Sequence, residues 1–232
     1  MSMQNKYKNK LFSVLGDSVS TLEGYSVPKD AAFYEGFCKL QGNIFAPRDT
    51  WWGQVIEQLG GELLVNNSIS GSIVCKHRSC VIPSYGCSDE RTSNLSKNGE
   101  APDVIMIFLG INDWGCAMKP FPNDETESSD TSIFAVAYKA MLEKLKKNYP
   151  LAELWCLTLP MSIGKTQDGY FVPCRGGYHI EAYCRAIRSC AKACGCRIIE
   201  LYEAIQTLDT IDGAHPNAKG MEALAKATLS QL

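Results

Sequence analysis

The sequence lacks a strong excess of charge and lacks any long run of apolar residues. With 23 Lys and Arg against 25 Asp and Glu, its formal net charge is −2 at pH 7. That balance does not favour nucleic acid or an anionic membrane as the main partner. The longest apolar stretch, Val104–Leu109, is far too short to span a bilayer. We therefore expect a small-molecule substrate, with no nucleic acid and no membrane as partner.

The N-terminus lacks a recognisable export signal. Lysines precede the apolar run Leu11–Leu15, but this run is shorter than the apolar part of a signal peptide and ends at Gly-Asp-Ser. It is better interpreted as a buried strand. The sequence therefore predicts a cytoplasmic protein, and it gives no indication of an oligomeric state.

Cysteine is plentiful, but its pattern indicates neither a disulfide scaffold nor a metal site. The count of eleven is odd and the chain is long, which favours reduced thiols. Four cysteines cluster around one predicted helix end: Cys184, Cys190, Cys194 and Cys196. Only the pair Cys190 and Cys194 has a spacing common in zinc sites, so we interpret the cluster as buried, inert thiols. We expect no metal and no cofactor.

The chain alternates short apolar runs with helical patterns and has no repeat, low-complexity segment or linker that would divide it. We predict a single domain over 1–232. Five strands are predicted, at 10–16, 62–69, 103–110, 152–159 and 196–202. Their apolar runs are continuous, as in parallel strands covered on both faces. Helices are predicted near 49–60, 131–148, 178–194 and 217–231.

This alternation predicts the α/β class, as a doubly wound α/β/α sandwich with three layers around a five-stranded parallel sheet. Asp49 and Asn217 are predicted N-caps, and Gly60 and Gly195 are predicted helix ends. The long irregular segments follow the strands, at 19–48, 71–100, 114–130 and 161–177. Ligands of open parallel sheets bind beyond the carboxyl ends of the strands, where these segments would gather.

Chemically useful residues stand at the predicted strand ends: Ser18, Gly71, Asn112, Asp212 and His215. A serine hydroxyl needs a base within hydrogen-bond reach to act as a nucleophile, and His215 is the best placed of only three histidines. Asp212 precedes it by three residues and can orient the imidazole. Backbone N–H groups of Ser18 and Gly71, with the Asn112 amide, would form an oxyanion hole. Each motif alone has a structural explanation, but their order along the chain predicts nucleophilic acyl transfer.

The blocks "GDSVS", "NNSISG", "GIND" and "DGAHP" resemble those of the SGNH (GDSL-type) hydrolases. The resemblance runs from about residue 10 to the end and implies a flavodoxin-like sandwich. It also implies esterase or acylhydrolase chemistry with Ser18 as nucleophile, His215 as base and Asp212 as its partner. Ser18, Gly71 and Asn112 would form the oxyanion hole. The first block lacks the leucine of the GDSL name, and 23–48 and 72–100 are longer than in compact members, so substrate choice does not transfer.

The acyl group and its alcohol stay open at this point. "VNNSISGS" is close to the block of bacterial thioesterases and lysophospholipases, which makes such an acylhydrolase the alternative to a small-acyl or carbohydrate-linked esterase. Aromatic residues accumulate at 24–52, where they could pack an acyl chain, stack on a sugar or anchor the segment. They are Tyr25, Phe33, Tyr34, Phe37, Phe45, Trp51 and Trp52.

Other functions fit the sequence less well. A flavodoxin-like module could bind FMN or phosphate through Ser18, Ser20 and Thr21, but that leaves Asn112 and His215 without a role. The intact serine, aspartate and histidine also argue against a non-catalytic carbohydrate-binding relative. Asp17 and Asp113 could act as a glycosidase pair. Their positions beside the proposed catalytic residues instead predict that they hold loop backbone. His77 and His179 are expected at the surface or beside the site.

Overall fold

The computed structural model describes residues 6–27, 31–76, 85–122, 128–161, 174–175 and 177–232. Its centre is a sheet of five parallel strands in the order β2-β1-β3-β4-β7. These strands are β1 (Leu11–Gly16), β2 (Glu62–Ser68), β3 (Val104–Phe108), β4 (Glu153–Leu157) and β7 (Arg197–Ile199). All five predicted strands are therefore present.

Continuous apolar sequence forms strands here because both faces of the sheet are covered. Every residue of β3 is buried, and β1 is buried from Phe12 to Gly16. The sheet is therefore an interior layer. The outer strand β7 is only three residues long, and the other outer strand, β2, begins at the exposed Glu62. Short or charged outer strands limit edge-to-edge association.

Helices lie on both faces of the sheet. The described helices are α1 (Gly36–Gly42), α2 (Trp51–Leu59), α3 (Asp89–Ser93), α4 (Ile111–Gly115), α5 (Phe134–Asn148), α6 (Ile180–Ala193) and α7 (Ala218–Leu229). The connection from β1 to β2 runs across the sheet in the opposite direction to those from β3 to β4 and from β4 to β7. Because such crossovers are right-handed, α2 lies on one face and α5 and α6 on the other. The α/β/α sandwich is confirmed.

The ends of the helices follow the predicted signals with one exception. Asn217 caps α7 by accepting a hydrogen bond from the Gly220 N–H, and Gly60 ends α2 in the left-handed region. Asp49 was predicted to cap α2, and this prediction is wrong. Thr50 is the N-cap, because its hydroxyl accepts from the Gly53 N–H, while the Asp49 carboxylate accepts from the N–H groups of Phe45 and Ala46.

Short-range patterns did not predict the antiparallel pair β5 (Cys174–Arg175) and β6 (Tyr178–His179), which precedes α6. The cysteines around α6 are free thiols, and Cys184 and Cys190 are buried against backbone carbonyls of Leu159 and Ala135. In the described part of the chain, no group of three or more His, Cys, Asp or Glu residues could hold a metal ion. None of the described helices is long and apolar enough to cross a membrane.

Candidate active site

The turn after β1 presents Ser18. Asp17 caps a short 3₁₀ helix over Ser18–Ser20, and its carboxylate accepts a hydrogen bond of 3.0 Å from the Val19 N–H. Burial raises the pKa of Asp17 to about 7. This carboxyl group therefore holds loop backbone, as the sequence predicts, and it fixes the direction in which the next side chain points.

Ser18 forms one chain of hydrogen bonds with two residues that are distant from it in sequence, His215 and Asp212. The Ser18 Oγ lies 2.9 Å from the His215 Nε2, and the His215 Nδ1 lies 2.7 Å from the Asp212 Oδ2. Asp212 also accepts backbone N–H bonds from Ala214 and His215, so the turn itself holds the carboxylate beside the Nδ1 edge of the ring. The structure brings together all three residues that the sequence predicts for nucleophile, base and orienting acid.

The charge of Asp212 decides which ring nitrogen carries the proton. Burial acts to raise the pKa of Asp212, but hydrogen bonds from the His215 N–H, the His215 ring and the Ala214 N–H together lower it below the ordinary value. An ionised carboxylate only accepts hydrogen bonds, so the His215 Nδ1 must be the donor. The Nε2 lone pair then faces Ser18, which is the arrangement that a general base requires.

Asn112 is the second residue of α4, which follows β3. Its side chain contacts the turn after β2. The Asn112 Nδ2 donates to the Ser72 carbonyl at 3.0 Å, and its second N–H has no partner among the described residues. Gly71, beside Ser72, has φ of +72°, a conformation that favours glycine. In the described part of the structure, the N–H groups of Ser18 and Gly71 donate no hydrogen bond to protein. The predicted donors are thus held at one rim.

Asp113 stabilises the backbone that follows the Gly71 turn. Its buried carboxylate accepts N–H bonds of 2.9–3.1 Å from Val74 and Cys75. Burial raises the pKa of Asp113. The two acids considered as a glycosidase pair, Asp17 and Asp113, are both committed to backbone, as the sequence predicts. His179 caps α6 by accepting from the Glu181 N–H, and His77 lies outside the described residues.

Arg91 is the residue near the site that sequence analysis missed. Its side chain, on α3, is almost completely buried at 1% exposure. The guanidinium donates to the Gly16 carbonyl, the Asn67 carbonyl and the Ser72 hydroxyl. It therefore connects the end of β1 to the end of β2 and to the turn that Asn112 contacts. No local motif surrounds Arg91 in the sequence, so only these long-range contacts reveal it.

The hydroxyls considered for phosphate binding are occupied by protein contacts. The Ser20 Oγ accepts from the Trp51 indole N–H, and the Thr21 Oγ1 accepts from the Phe33 N–H while donating to the Ser18 carbonyl. Ser20 and Thr21 are fully buried. These contacts argue against the FMN or phosphate alternative.

The aromatic residues at 24–52 divide into two groups. Tyr34, Trp51 and Trp52 are completely buried and anchor the segment. Tyr25, Phe37 and Phe45 are exposed at 45%, 70% and 50%. Phe33 is intermediate in exposure, and its ring stacks on the ring of His215.

The profile of the GDSL-like Lipase/Acylhydrolase family matches residues 10–166, which is more than half of the chain. The chain belongs to this family. The match includes the Ser18 turn, the Gly71 turn and Asn112. The family predicted from the four blocks is confirmed, and the fourth block, with Asp212 and His215, lies beyond the matched residues.

Relatives of known structure cover nearly the whole GDSL-like chain. A Bacteroides ovatus protein whose structure carries the name GDSL-like lipase is 25% identical, with a TM-score of 0.73, and the match covers 96% of this chain and 97% of that one. The fold is also similar to that of a variant of an acetyl xylan esterase from Geobacillus stearothermophilus, at 21% identity and a TM-score of 0.59, covering 97% and 95%.

A shorter match links the chain to a cellulase/esterase of Acetivibrio thermocellus, at 33% identity over 67 residues. It spans 29% of this chain and 7% of that much longer protein. Together with the family match, these findings support a hydrolase that acts on ester bonds.

Proposed function

We propose that the protein is a serine esterase in which Ser18 is the nucleophile, His215 the general base and Asp212 the residue that orients the base. The observation that carries the proposal is the unbroken chain of hydrogen bonds from Ser18 Oγ to His215 Nε2 and from His215 Nδ1 to Asp212. No other group faces the serine in a comparable way among the described hydrogen bonds. We propose no metal and no cofactor for this reaction.

In the first half of the reaction, the Ser18 Oγ attacks the ester carbonyl carbon as His215 Nε2 takes the hydroxyl proton. The N–H groups of Ser18 and Gly71 and the free N–H of Asn112 stabilise the resulting oxyanion. The ester C–O bond then breaks, and the imidazolium gives its proton to the departing alkoxide. The alcohol leaves, and the acyl group stays bound to Ser18 Oγ. In the second half, water attacks the acyl carbon as His215 Nε2 takes one of its protons. The bond to Ser18 Oγ then breaks, the imidazolium returns its proton to this oxygen, and the carboxylic acid is released.

For the substrate, we propose a small acyl group on a carbohydrate alcohol. The similarity in fold to an acetyl xylan esterase and the short match to a cellulase/esterase support this choice. The substrate is a small molecule, and the proposal requires no nucleic acid or membrane partner. We further propose that the chain functions in the cytoplasm as a single domain.

A second candidate is an acylhydrolase for longer acyl chains, of the thioesterase or lysophospholipase kind. It is favoured by one observation: the segment that contacts His215 exposes large apolar side chains nearby. Phe37, Leu40 and Phe45 are exposed at 70%, 64% and 50%. Such side chains could bind an acyl tail that extends beyond the rim.

Hydrolysis of p-nitrophenyl esters from acetate to decanoate tests both candidates, with Ser18→Ala and the remote control Ser230→Ala. We expect a maximum at acetate, a loss on the order of 10³-fold or more in kcat for Ser18→Ala, and wild-type rates for Ser230→Ala. Acetylated xylo-oligosaccharides then test the alcohol. A maximum at octanoate or decanoate would favour the second candidate. Equal rates for wild type and Ser18→Ala would contradict the assignment of the nucleophile.

A further inference from the structure

The phenyl ring of Phe33 lies flat against the imidazole of His215. The ring centroids are 3.5 Å apart and the planes differ by 9°. Because carbon atoms in contact are about 3.5–4.0 Å apart, this separation leaves almost no sideways offset between the rings. The two rings therefore form a face-to-face sandwich that covers one face of the base.

A sandwich without offset is a poor arrangement for two neutral aromatic rings, because their quadrupoles repel. The same arrangement is favourable when one ring is a cation, since the negative face of the benzene ring then attracts it. In the proposed reaction, His215 becomes a cation when it takes the Ser18 proton. The stack is thus matched to the charged form of the base, which exists in the transition state.

Backbone and side-chain contacts on both sides fix the position of Phe33. Its N–H donates to the Thr21 Oγ1 at 2.8 Å, and the same hydroxyl donates to the Ser18 carbonyl at 2.8 Å. Two hydrogen bonds therefore connect Phe33 to the nucleophile. The ring of Phe33 also packs edge-on against the ring of Tyr34, with centroids 5.1 Å apart.

Tyr34 connects the same segment to the base. Its ring is completely buried, and its hydroxyl donates to the Pro216 carbonyl, directly after His215, at 2.7 Å. Residues 33 and 34 thus contact the turn of the nucleophile and the turn of the base at once. Any displacement of one turn relative to the other would have to break these contacts.

We propose that Phe33 is a positioning residue for His215: its ring holds the imidazole in line with Ser18 and Asp212 and stabilises the imidazolium as it forms. This inference rests on the proposed function for its kinetic consequences. It gives the aromatic segment at 24–48 a role in catalysis, through Phe33, in addition to anchoring or substrate binding. Phe33 acts through His215 and transfers no proton itself.

The test compares Phe33→Leu, which removes the ring, with Phe33→Tyr, which keeps it. Leu151→Ala is the control, because Leu151 is 96% exposed and precedes β4, at the opposite end of the sheet from Ser18. We expect Phe33→Leu to lower kcat on p-nitrophenyl acetate by about 5- to 30-fold with KM within about 2-fold of wild type. Phe33→Tyr should retain at least about a third of wild-type kcat, and Leu151→Ala should leave kcat unchanged.

A measurement without substrate separates this inference from the proposed function. The Nδ1 proton that His215 shares with Asp212 should give a downfield proton NMR signal in the wild type and in Phe33→Tyr. In Phe33→Leu, that signal should broaden and exchange faster with water. If the wild-type enzyme hydrolyses no ester but these signals behave as expected, the proposed function fails and the positioning role stands.

Three outcomes would overturn the inference. One is a kcat for Phe33→Leu within 2-fold of wild type together with an unchanged NMR signal. Another is a rise in KM alone, which would make Phe33 a substrate contact. The third is a loss in Phe33→Tyr equal to that in Phe33→Leu. Thermal unfolding of each variant checks that the fold is intact, and a variant that does not fold is replaced by Phe33→Met.

Discussion

In the proposed reaction, side chains around Ser18 either move a proton or hold the backbone that binds the oxyanion. Asn112 does the second by donating to the Ser72 carbonyl with one N–H, while its other N–H has no partner among the described residues. A neutral amide suits this position because it donates twice without adding a charge. The second N–H therefore contributes to the proposed reaction only when negative charge develops on the substrate.

Replacing Asn112 with alanine should lower kcat by on the order of 100-fold, because one oxyanion donor is lost and the 71–72 turn loses a contact. KM should change far less. Steady-state kinetics on p-nitrophenyl acetate measure both. Asn148→Ala is the matched control, since the Asn148 amide donates to the Thr92 carbonyl far from the rim. A kcat for Asn112→Ala equal to that of Asn148→Ala would remove Asn112 from the oxyanion hole.

At the scale of elements, the short helix α3 stabilises the ends of two strands through one side chain. Arg91 donates to carbonyls of Gly16 and Asn67, at the ends of β1 and β2, and to the Ser72 hydroxyl. Burial lowers the pKa of Arg91 to about 10, so the guanidinium still carries its charge at neutral pH. If Arg91 is removed, all three acceptors lose this donor, and the Gly16 carbonyl keeps the Ile69 N–H at 3.2 Å.

We expect Arg91→Met to lower the free energy of unfolding by about 2–5 kcal/mol, because it leaves buried acceptors without donors. Urea denaturation followed by far-UV circular dichroism measures this change. The control is Arg48→Met, because Arg48 is exposed and its replacement should change the free energy by less than about 0.5 kcal/mol. Equal stability of the two variants would show that the buried contacts of Arg91 contribute nothing net.

At the scale of the whole molecule, the stability of the fold should depend on pH through Asp17. Burial raises the folded-state pKa of this group from its ordinary value of 3.8 to about 7. The folded state therefore binds the proton more tightly than the unfolded state. The resulting stabilisation is fully present below pH 3.8 and is lost as the pH rises through about 7.

Asp17→Asn should remove this dependence. Between pH 4.5 and 7.5, the wild type should lose stability relative to the variant by up to about 1.4 kcal/mol per pH unit. Urea denaturation at several pH values measures the difference. The control is Asp103→Asn: burial acts to raise the pKa of Asp103, but its hydrogen bonds with Lys10 and Leu11 lower it overall. The stability that Asp103 contributes to the fold is lost only as the pH falls through the lowered pKa of this group. Parallel curves for wild type and Asp17→Asn would contradict the prediction.

The sequence by itself determined the sheet and most of the rim. Five continuous apolar runs predict five buried parallel strands, because strands covered on both faces need no polar alternation. Residues that follow such strands meet at one edge, so Ser18, Gly71 and Asn112 could be placed there from their positions alone. Helix ends such as Gly60 and Asn217 were predictable because capping uses neighbouring residues only.

The tertiary structure decided what depends on contacts between distant segments. One difference was local instead: Asp49 accepts from the N–H groups of Phe45 and Ala46, which leaves Thr50 to cap α2. The sequence around Arg91 and Phe33 does not reveal their contacts. Arg91 donates to carbonyls at the ends of β1 and β2, and Phe33 stacks on the ring of His215. Such contacts depend on the conformation of the long loops at the rim. Many loop conformations are compatible with the same local sequence pattern. The residues that we propose for the reaction could therefore be read from the sequence, whereas those that we propose to position them required the fold.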